Sequence, residues 1–344
     1  MEAIRKLVGG QSLTRAEARE TLAAVVDGGA TQAQIGALLV ALRMKGETVD
    51  EVTGFVEAMR SRVVPVRATR APLLDTCGTG GSAFRVFNVS TAAAFVAAAA
   101  GIAVAKHGNR AMSGVCGSAD VLEALGVRVD LTPGQAARCI DATGIGFLFA
   151  QRHHPAMKQV SGARREIGVR SVFNLLGPLT NPAGASMQVM GVYDGRLIEL
   201  AAGALKALGS ERALVVHGEI GLDEISTVGP TRVCELADGE LRSYRLSPAE
   251  LGLFCAETDA AHLAPAATAA ENADLLREAL AGKTSGPAAL ARRDLVAVNA
   301  AAALRVTGHS GDWPAAVRRA REIIASGAAL RKLEELAAFT QQLD

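Results

Sequence analysis

Over residues 1–70 the apolar positions recur with a helical period. Ile35, Leu38, Leu39 and Leu42 fall at i, i+3, i+4 and i+7, one face of a helix. Three boxes, Thr14-x-x-Glu17, Thr31-x-x-Gln34 and Thr48-x-x-Glu51, mark helix starts. Gly28-Gly29 and Gly46 stand where helices should stop. This region reads as a small helical bundle.

From Pro72 the pattern changes. A short apolar run, 72–74, ends in Asp75 and reads as a strand. Further strand-like runs stand at 102–105, 127–131, 146–149, 188–193 and 213–217. Helical stretches separate them, and Thr132-Pro133-x-Gln135 opens one with proline in its first turn. Such alternation predicts an α/β fold, a central and mostly parallel sheet with helices on its faces. Segments 232–236 and 241–246, joined through Asp238-Gly239, read as a β-hairpin. The segment 164–176 interrupts the alternation with helical periodicity and is expected to pack back on the first lobe. The C-terminal third is helical and rich in alanine. The expected organisation is a helical domain over 1–70, joined by the segment about 164–182, and an α/β domain over 71–344.

Composition narrows the function classes. Apolar residues make up 49% and charged residues 21%, as in a globular chain. Aromatics are only 3%, too few for base-stacking platforms. The net charge of +1 gives no field drawing the chain to nucleic acid or an anionic membrane. The five cysteines form no C-x-x-C pair, so reduced thiols in a cytoplasmic protein are expected. Segment 92–105 is apolar but too short to span a bilayer. It reads as a buried helix running into a strand.

The candidate chemistry gathers in five places. Gly78-Thr79-Gly80-Gly81 and then Asn88-Val89-Ser90-Thr91 read as strand, glycine loop and helix start. Glycines admit positive φ and close backbone approach, and a helix N-terminus favours an anion, here a phosphate or pyrophosphate. The same residues also suit a tight turn with a hydroxyl cap. Lys106-His107-Gly108-Asn109-Arg110 follows the run 102–105 and reads as a ligand loop or as a solvated basic turn. Asp223-Glu224, on a glycine-bounded loop, suits Mg²⁺ if a pyrophosphate supplies further oxygens; an ordinary acidic loop fits as well. His153 and His154 should diverge rather than share a metal, while Arg164, heading a helical segment, suits a carboxylate or a surface ion pair. Gly177-Pro178 and Asn181-Pro182 should stop a helix, forming either a pocket wall or a buried turn between lobes.

These motifs together resemble the anthranilate phosphoribosyltransferase family, from the first helix to about Thr307. Matching blocks include Gly117-Ser118-Ala119-Asp120, residues 147–150 and 154–158, and 222–226. The resemblance implies a nucleoside-phosphorylase-like fold and a homodimer formed through the helical lobe. It implies joining of an arylamine to C1 of phosphoribosyl pyrophosphate in tryptophan biosynthesis. Carried over, Gly78, Thr79, Gly80, Gly81, Asn88, Ser90, Thr91, Lys106 and Ser118 would hold phosphoribosyl pyrophosphate. Ser90, Asp223 and Glu224 would hold Mg²⁺. Gly78, His107, Asn109, His154, Arg164, Gly177 and Pro178 would surround anthranilate. A glutamine amidotransferase or anthranilate synthase partner is left open, and neither nucleic acid nor membrane is expected.

The chain departs from the family pattern in three places, the first two of them on the phosphate side. Where the family continues G-T-G-G-D-G, Ser82-Ala83 stand here. Ser113-Gly114-Val115-Cys116 lacks the usual lysine, and a C-terminal G-G-x-P-E-E-N is reduced to Ala267-Thr268-Ala269-Ala270-Glu271-Asn272. Weaker handling of the activated ribose follows as an expectation, as does a paralogue acting on another arylamine. Rival readings are a nucleoside phosphorylase of the same fold and a non-catalytic nucleic-acid-binding relative. A dinucleotide oxidoreductase fits less, since G-T-G-G lacks the third spaced glycine.

Overall fold

The computed structural model describes residues 2–111, 116–253 and 260–344. Four helices come first: α1 (Glu2–Val8), α2 (Arg15–Val26), α3 (Gln32–Lys45) and α4 (Val49–Arg60). Each of the three expected capping boxes is formed in both directions, at Thr14, Thr31 and Thr48. Glu51 does more than cap. It is fully buried, accepts from Leu13 N at 2.9 Å and pairs with Lys45 at 2.9 Å, tying the start of α4 to the two preceding helices. Helices α2 and α4 cross closely at Gly54, where an added Cβ would strike the Arg15 carbonyl and sit 2.9 Å from Ala18 Cβ.

The second region is built on a seven-stranded sheet. Its strands are β1 (Leu74–Gly78), β2 (Val104–Gly108), β3 (Ile145–Phe149), β4 (Met187–Gly191), β5 (Arg212–Gly218), β6 (Thr231–Ala237) and β7 (Glu240–Leu246). The order is β3-β2-β1-β4-β5-β6-β7, parallel through β5 and antiparallel at the hairpin. Asp238 and Gly239 take φ of 51° and 76°, the two positive values of a tight hairpin turn. Connecting helices are α5 (Val89–Ala99), α6 (Ser118–Ala124), α7 (Pro133–Thr143), α8 (Ala150–His153), α9 (Lys158–Ile167), α10 (Phe173–Leu179) and α11 (Ile198–Ala207). Four more close the chain: α12 (Ala269–Leu280), α13 (Pro287–Val306), α14 (Trp313–Ala325) and α15 (Ala328–Gln341).

Alternate residues of the central strands feed two cores. Leu214 and Val216 of β5 join the core of α5 and α13, while Ala213 and Val215 join the core shared with α4, α10 and α11. Both faces are covered, so β5 reads as a continuous apolar run. Val160, Phe173 and Leu176 pack with Leu38, Phe55 and Val56, so the segment after β3 does return to the helical lobe. The fold class expected from the sequence holds.

Four local expectations need correction. The run 127–131 is not a strand: Val127, Val129 and Leu131 are buried, but Arg128 N bonds to Thr340 on α15. Period two reported one-sided burial, not pairing. Strand β1 lies at Leu74–Gly78, so the first loop glycine is its last residue, and Lys106-His107 lie inside β2 rather than after it. Arg164 sits in the last turn of α9, not at the head of a helix. Gly177-Pro178 do not stop a helix, because α10 continues to Leu179 with Pro178 inside it. Cys255 and the Ser113-Gly114-Val115 departure lie outside the described residues; the other four cysteines are free thiols. Among the described residues no helix is long and apolar enough to cross a membrane.

Candidate active site

The chain fills β1, β2 and β3 outward in one direction, then crosses to β4 and β5 on the other side. The order reverses between β1 and β4, the place where open α/β sheets bind ligands. Gly78 and Gly191 face each other there, at the C-terminal ends of these two strands. An added Cβ at Gly191 would collide with the Asp223 backbone, and one at Gly78 would lie 2.8 Å from Asp223 Oδ2. Glycine is required at Gly191 so that the acidic loop can approach, and at Gly78 an added Cβ would push the Asp223 carboxylate aside.

The glycine loop is stitched to its surroundings. Thr79 N donates to Gly191 O at 2.9 Å, and Thr79 Oγ1 accepts from Tyr193 N at 3.0 Å. Gly80 and Gly81 have φ of 64° and 77°. Gly80 N donates to Asp223 Oδ2 at 3.0 Å, while Arg170 donates to the Gly81 carbonyl and stacks over Tyr193 at 4.3 Å. Ser82, noticed in the sequence only as a departure, donates to Asp223 Oδ1 at 2.5 Å and accepts from Asp223 N at 2.8 Å.

Helix α5 starts without a side-chain cap. The Asn88 amide instead donates to Cys116 O at 3.2 Å. Ser90 N donates to Glu224 Oε1 at 3.2 Å, so Ser90 and the acidic pair do come together. The Thr91 hydroxyl is buried and unpartnered, and lines a small internal cavity with Phe95, Lys106 and Phe147. Ser118 Oγ donates to Asn109 O at 3.3 Å, which ties the start of α6 to the loop after β2. The Asn109 side chain accepts from Arg110 N.

Beneath the loop lies a buried charge stack that sequence reasoning met only in part. Lys106 is 3% exposed and donates to Thr76 O at 2.6 Å and toward Ser90 Oγ at 3.4 Å. Asp75 is fully buried, accepts from His107 N and Asn181 Nδ2, and is raised by burial to about 6. Glu224 is raised to about 8 by burial and by its neighbour Asp223. Burial pulls Lys106 down, and the two carboxylates oppose that shift. An aspartate inside an apolar run was the available signal for Asp75. Ser82 and Arg170 carried none, because only the folded loop brings them to Asp223 and Gly81.

The other side of the crevice carries no acidic group in the contacts described below. His107 Nε2 and His154 Nε2 lie 3.2 Å apart, with ring centroids at 5.0 Å. Burial lowers both, His154 to about 4, so both rings are uncharged near neutrality. His153 turns away, with Nδ1 bonded to Val64 O at 2.9 Å, and the two adjacent histidines diverge as expected. Gly177 interacts with His107 through its backbone and is exposed between buried neighbours; an added Cβ would meet nothing within 4 Å. Pro178 is buried, and its carbonyl accepts from Gln188 at 2.7 Å. Arg164 lies over the Phe173 ring at 5.3 Å, and Phe173 stands one helical turn before Gly177 on α10. Among the described residues Arg164 has no carboxylate partner, which removes the surface ion-pair reading; burial lowers it.

The residues suit Mg²⁺. Two carboxylates and a hydroxyl are hard oxygen donors, and a partly enclosed carboxyl held toward its neutral form invites a cation. Among the described residues no third acidic, His or Cys side chain joins them, so further oxygens must come from substrate or water.

Comparison with known proteins agrees with this layout. The helical bundle domain model of a glycosyl transferase family matches residues 1–63, and the family's a/b domain model matches 70–330. An anthranilate phosphoribosyltransferase of Anaeromyxobacter sp. (strain K) is 54% identical over 339 residues, 98% of each chain. The chain belongs to the anthranilate phosphoribosyltransferase family. A Moorella thermoacetica anthranilate phosphoribosyltransferase is 51% identical, covering 98% of this chain and 97% of its own. The crystal structure of the Thermus thermophilus enzyme superposes with a TM-score of 0.91 at 44% identity, over 99% of this chain and 100% of that one. The Saccharomyces cerevisiae enzyme, solved with PRPP and Mg, gives 0.87 at 27% identity, over 99% and 98%. These matches lend no support to the phosphorylase, nucleic-acid-binding or oxidoreductase readings.

Proposed function

We propose that this chain joins the amine of anthranilate to C1 of phosphoribosyl pyrophosphate, with release of pyrophosphate, and that the crevice between β1 and β4 is where it does so. The observation that carries the anthranilate assignment is Arg164: a half-buried guanidinium on an aromatic ring with no carboxylate partner among the described residues. A charge-assisted bond to an aromatic acid would satisfy it. Relatives of the chain are solved with PRPP and Mg and with 4-fluoroanthranilate, which supports both substrates.

An arylamine is already a neutral nucleophile, so the site needs no strong base to start. It must hold the amine behind C1 and steady the leaving pyrophosphate. Arg164 would hold the carboxylate, the exposed Gly177 would leave room for the ring, and the uncharged His107–His154 pair would line it without competing for the acid. Asn109 would help fix its orientation. The glycine loop, Asn88, Ser90, Ser118 and the backbone of Thr91 would hold the phosphates, and buried Lys106 would place positive charge below them. Bound at Ser90, Asp223 and Glu224, Mg²⁺ would supply charge neutralisation as the C1–O bond breaks. We further propose a homodimer through the helical lobe, where Val8 and Met44 are 75% and 84% exposed. The direct test follows anthranilate fluorescence with phosphoribosyl pyrophosphate and Mg²⁺. Loss of signal only when all three are present is expected; unchanged anthranilate in a folded sample rules the reading out.

A further inference from the structure

We propose that Ser82 is a positioning residue, which holds the Asp223 carboxylate in metal-binding orientation before any metal arrives. The proposal rests on the reading of Asp223 as a Mg²⁺ ligand. Ser82 is nearly buried, at 9% exposure, and its hydroxyl is used twice on the same residue. It donates to Asp223 Oδ1 at 2.5 Å and accepts from Asp223 N at 2.8 Å, closing a small ring of hydrogen bonds. That ring fixes side chain and backbone together. The other carboxylate oxygen is held by Gly80 N at 3.0 Å, and one residue beyond Ala83 the chain is pinned to the acidic loop by Phe84 N to Gly221 O at 3.0 Å.

Each carboxylate oxygen offers two acceptor directions. The loop takes one on each, which leaves one on each for a cation. Hydrogen bonds of this kind orient ligating carboxylates and set their affinity for the metal. A neutral hydroxyl does this without needing the ion. An aspartate at the same place would set two carboxylates face to face, and two such charges cannot both stay ionised without a cation between them. The departure at Ser82 therefore exchanges a charge pair that needs metal for a clamp that does not.

The test uses the full chain with Mn²⁺ as a spectroscopic stand-in for Mg²⁺. Bound Mn²⁺ is counted by electron paramagnetic resonance at saturating phosphoribosyl pyrophosphate, and unfolding midpoints are taken with and without Mg²⁺. Ser82→Ala should weaken Mn²⁺ binding roughly tenfold to a hundredfold, with anthranilate fluorescence quenching unchanged. Ser82→Thr, which keeps the hydroxyl, should restore it to within about threefold, less than 1 kcal/mol by the tenfold-per-1.4 rule. Ser82→Asp should lower the metal-free midpoint and widen the gain on adding Mg²⁺. If Ser82→Ala does not fold, Ser82→Cys keeps the volume with only a weak donor and carries the same expectation. Wild-type Mn²⁺ affinity in Ser82→Ala or Ser82→Cys, or an unmoved metal-free midpoint in Ser82→Asp, overturns the proposal. If the wild type itself binds no Mn²⁺, the metal reading of Asp223 falls and takes this proposal with it. Binding kept in the wild type and in Ser82→Ala alike removes this proposal alone.

Discussion

The two sides of the crevice are built on opposite principles. The glycine-loop side is dense in charge, and its carboxylates are bonded from within. Asp223 is bonded to Gly80 and Ser82, Glu224 to Ser90 N, and Lys106 is attracted to both Asp75 and Glu224. The Arg164 side is sparse and unsatisfied, with a cation that lacks a carboxylate among the described residues, two neutral imidazoles and an exposed glycine. A polyanion with its metal needs several donors and acceptors aimed at once, so its site is held in place beforehand. A planar aromatic acid needs one cation and open space, so its site is left waiting.

The strongest way to break this contrast is to remove the charge at its centre. Lys106→Met removes a buried cation that attracts both Asp75 and Glu224 without a direct ion pair, and leaving the buried Asp75 carboxyl uncompensated costs up to about 3–5 kcal/mol. Urea unfolding should show a loss of that size. A loss under about 1 kcal/mol would mean the stack is not electrostatically coupled. The next test is acid. His154 is held at about 4 against an ordinary 6.5, so the unfolded chain takes up the proton first. Its contribution is complete above pH 6.5 and falls as pH drops toward 4, by about 3 kcal/mol from the size of the shift. His154→Gln should flatten that slope in urea midpoints measured from about pH 7 to about pH 4.

Arg164→Ala comes third. It should raise the KM for anthranilate about tenfold to a hundredfold, as the loss of a charge-assisted bond worth about 1.5–3 kcal/mol requires. The KM for phosphoribosyl pyrophosphate should stay near its starting value, and equal damage to both would make Arg164 a structural residue. The smallest effect is expected on the acidic side, because Glu224 keeps part of its surface in water and solvent screens its shift. Glu224 is raised to about 8, so in metal-free protein its burial penalty appears as pH rises through 8 and is absent below the unfolded value near 4.5. Glu224→Gln should therefore raise the unfolding midpoint at about pH 9 and change it little at about pH 5. The acid responses of the two sides have opposite signs, and a common sign would erase the distinction.

Much of this was legible in the chain before folding. Capping at Thr14, Thr31 and Thr48 depends on residues three apart, so it could be read directly and is present. The hairpin at Asp238-Gly239 is likewise local. Patterns that reflect burial were less reliable: 127–131 alternates like a strand but lies on α15 without a partner strand. The bounds of β1 and β2 moved because their polar ends, Thr76, Lys106 and His107, are buried under the site rather than exposed in loops.

By itself the sequence determined the residue types, their local order and hence the helical lobe, the α/β lobe and the family. What the tertiary structure decided is which of those residues share a charge or a proton. Ser82 and Asp223 are 141 positions apart, and Arg170 and Gly81 are 89 apart. No local pattern encodes such contacts, because they arise only when parallel strands bring distant loops to one edge of the sheet. The neutrality of His107 and the seating of Arg164 on Phe173 have the same origin, since burial and contact belong to the packed chain and not to any stretch of it.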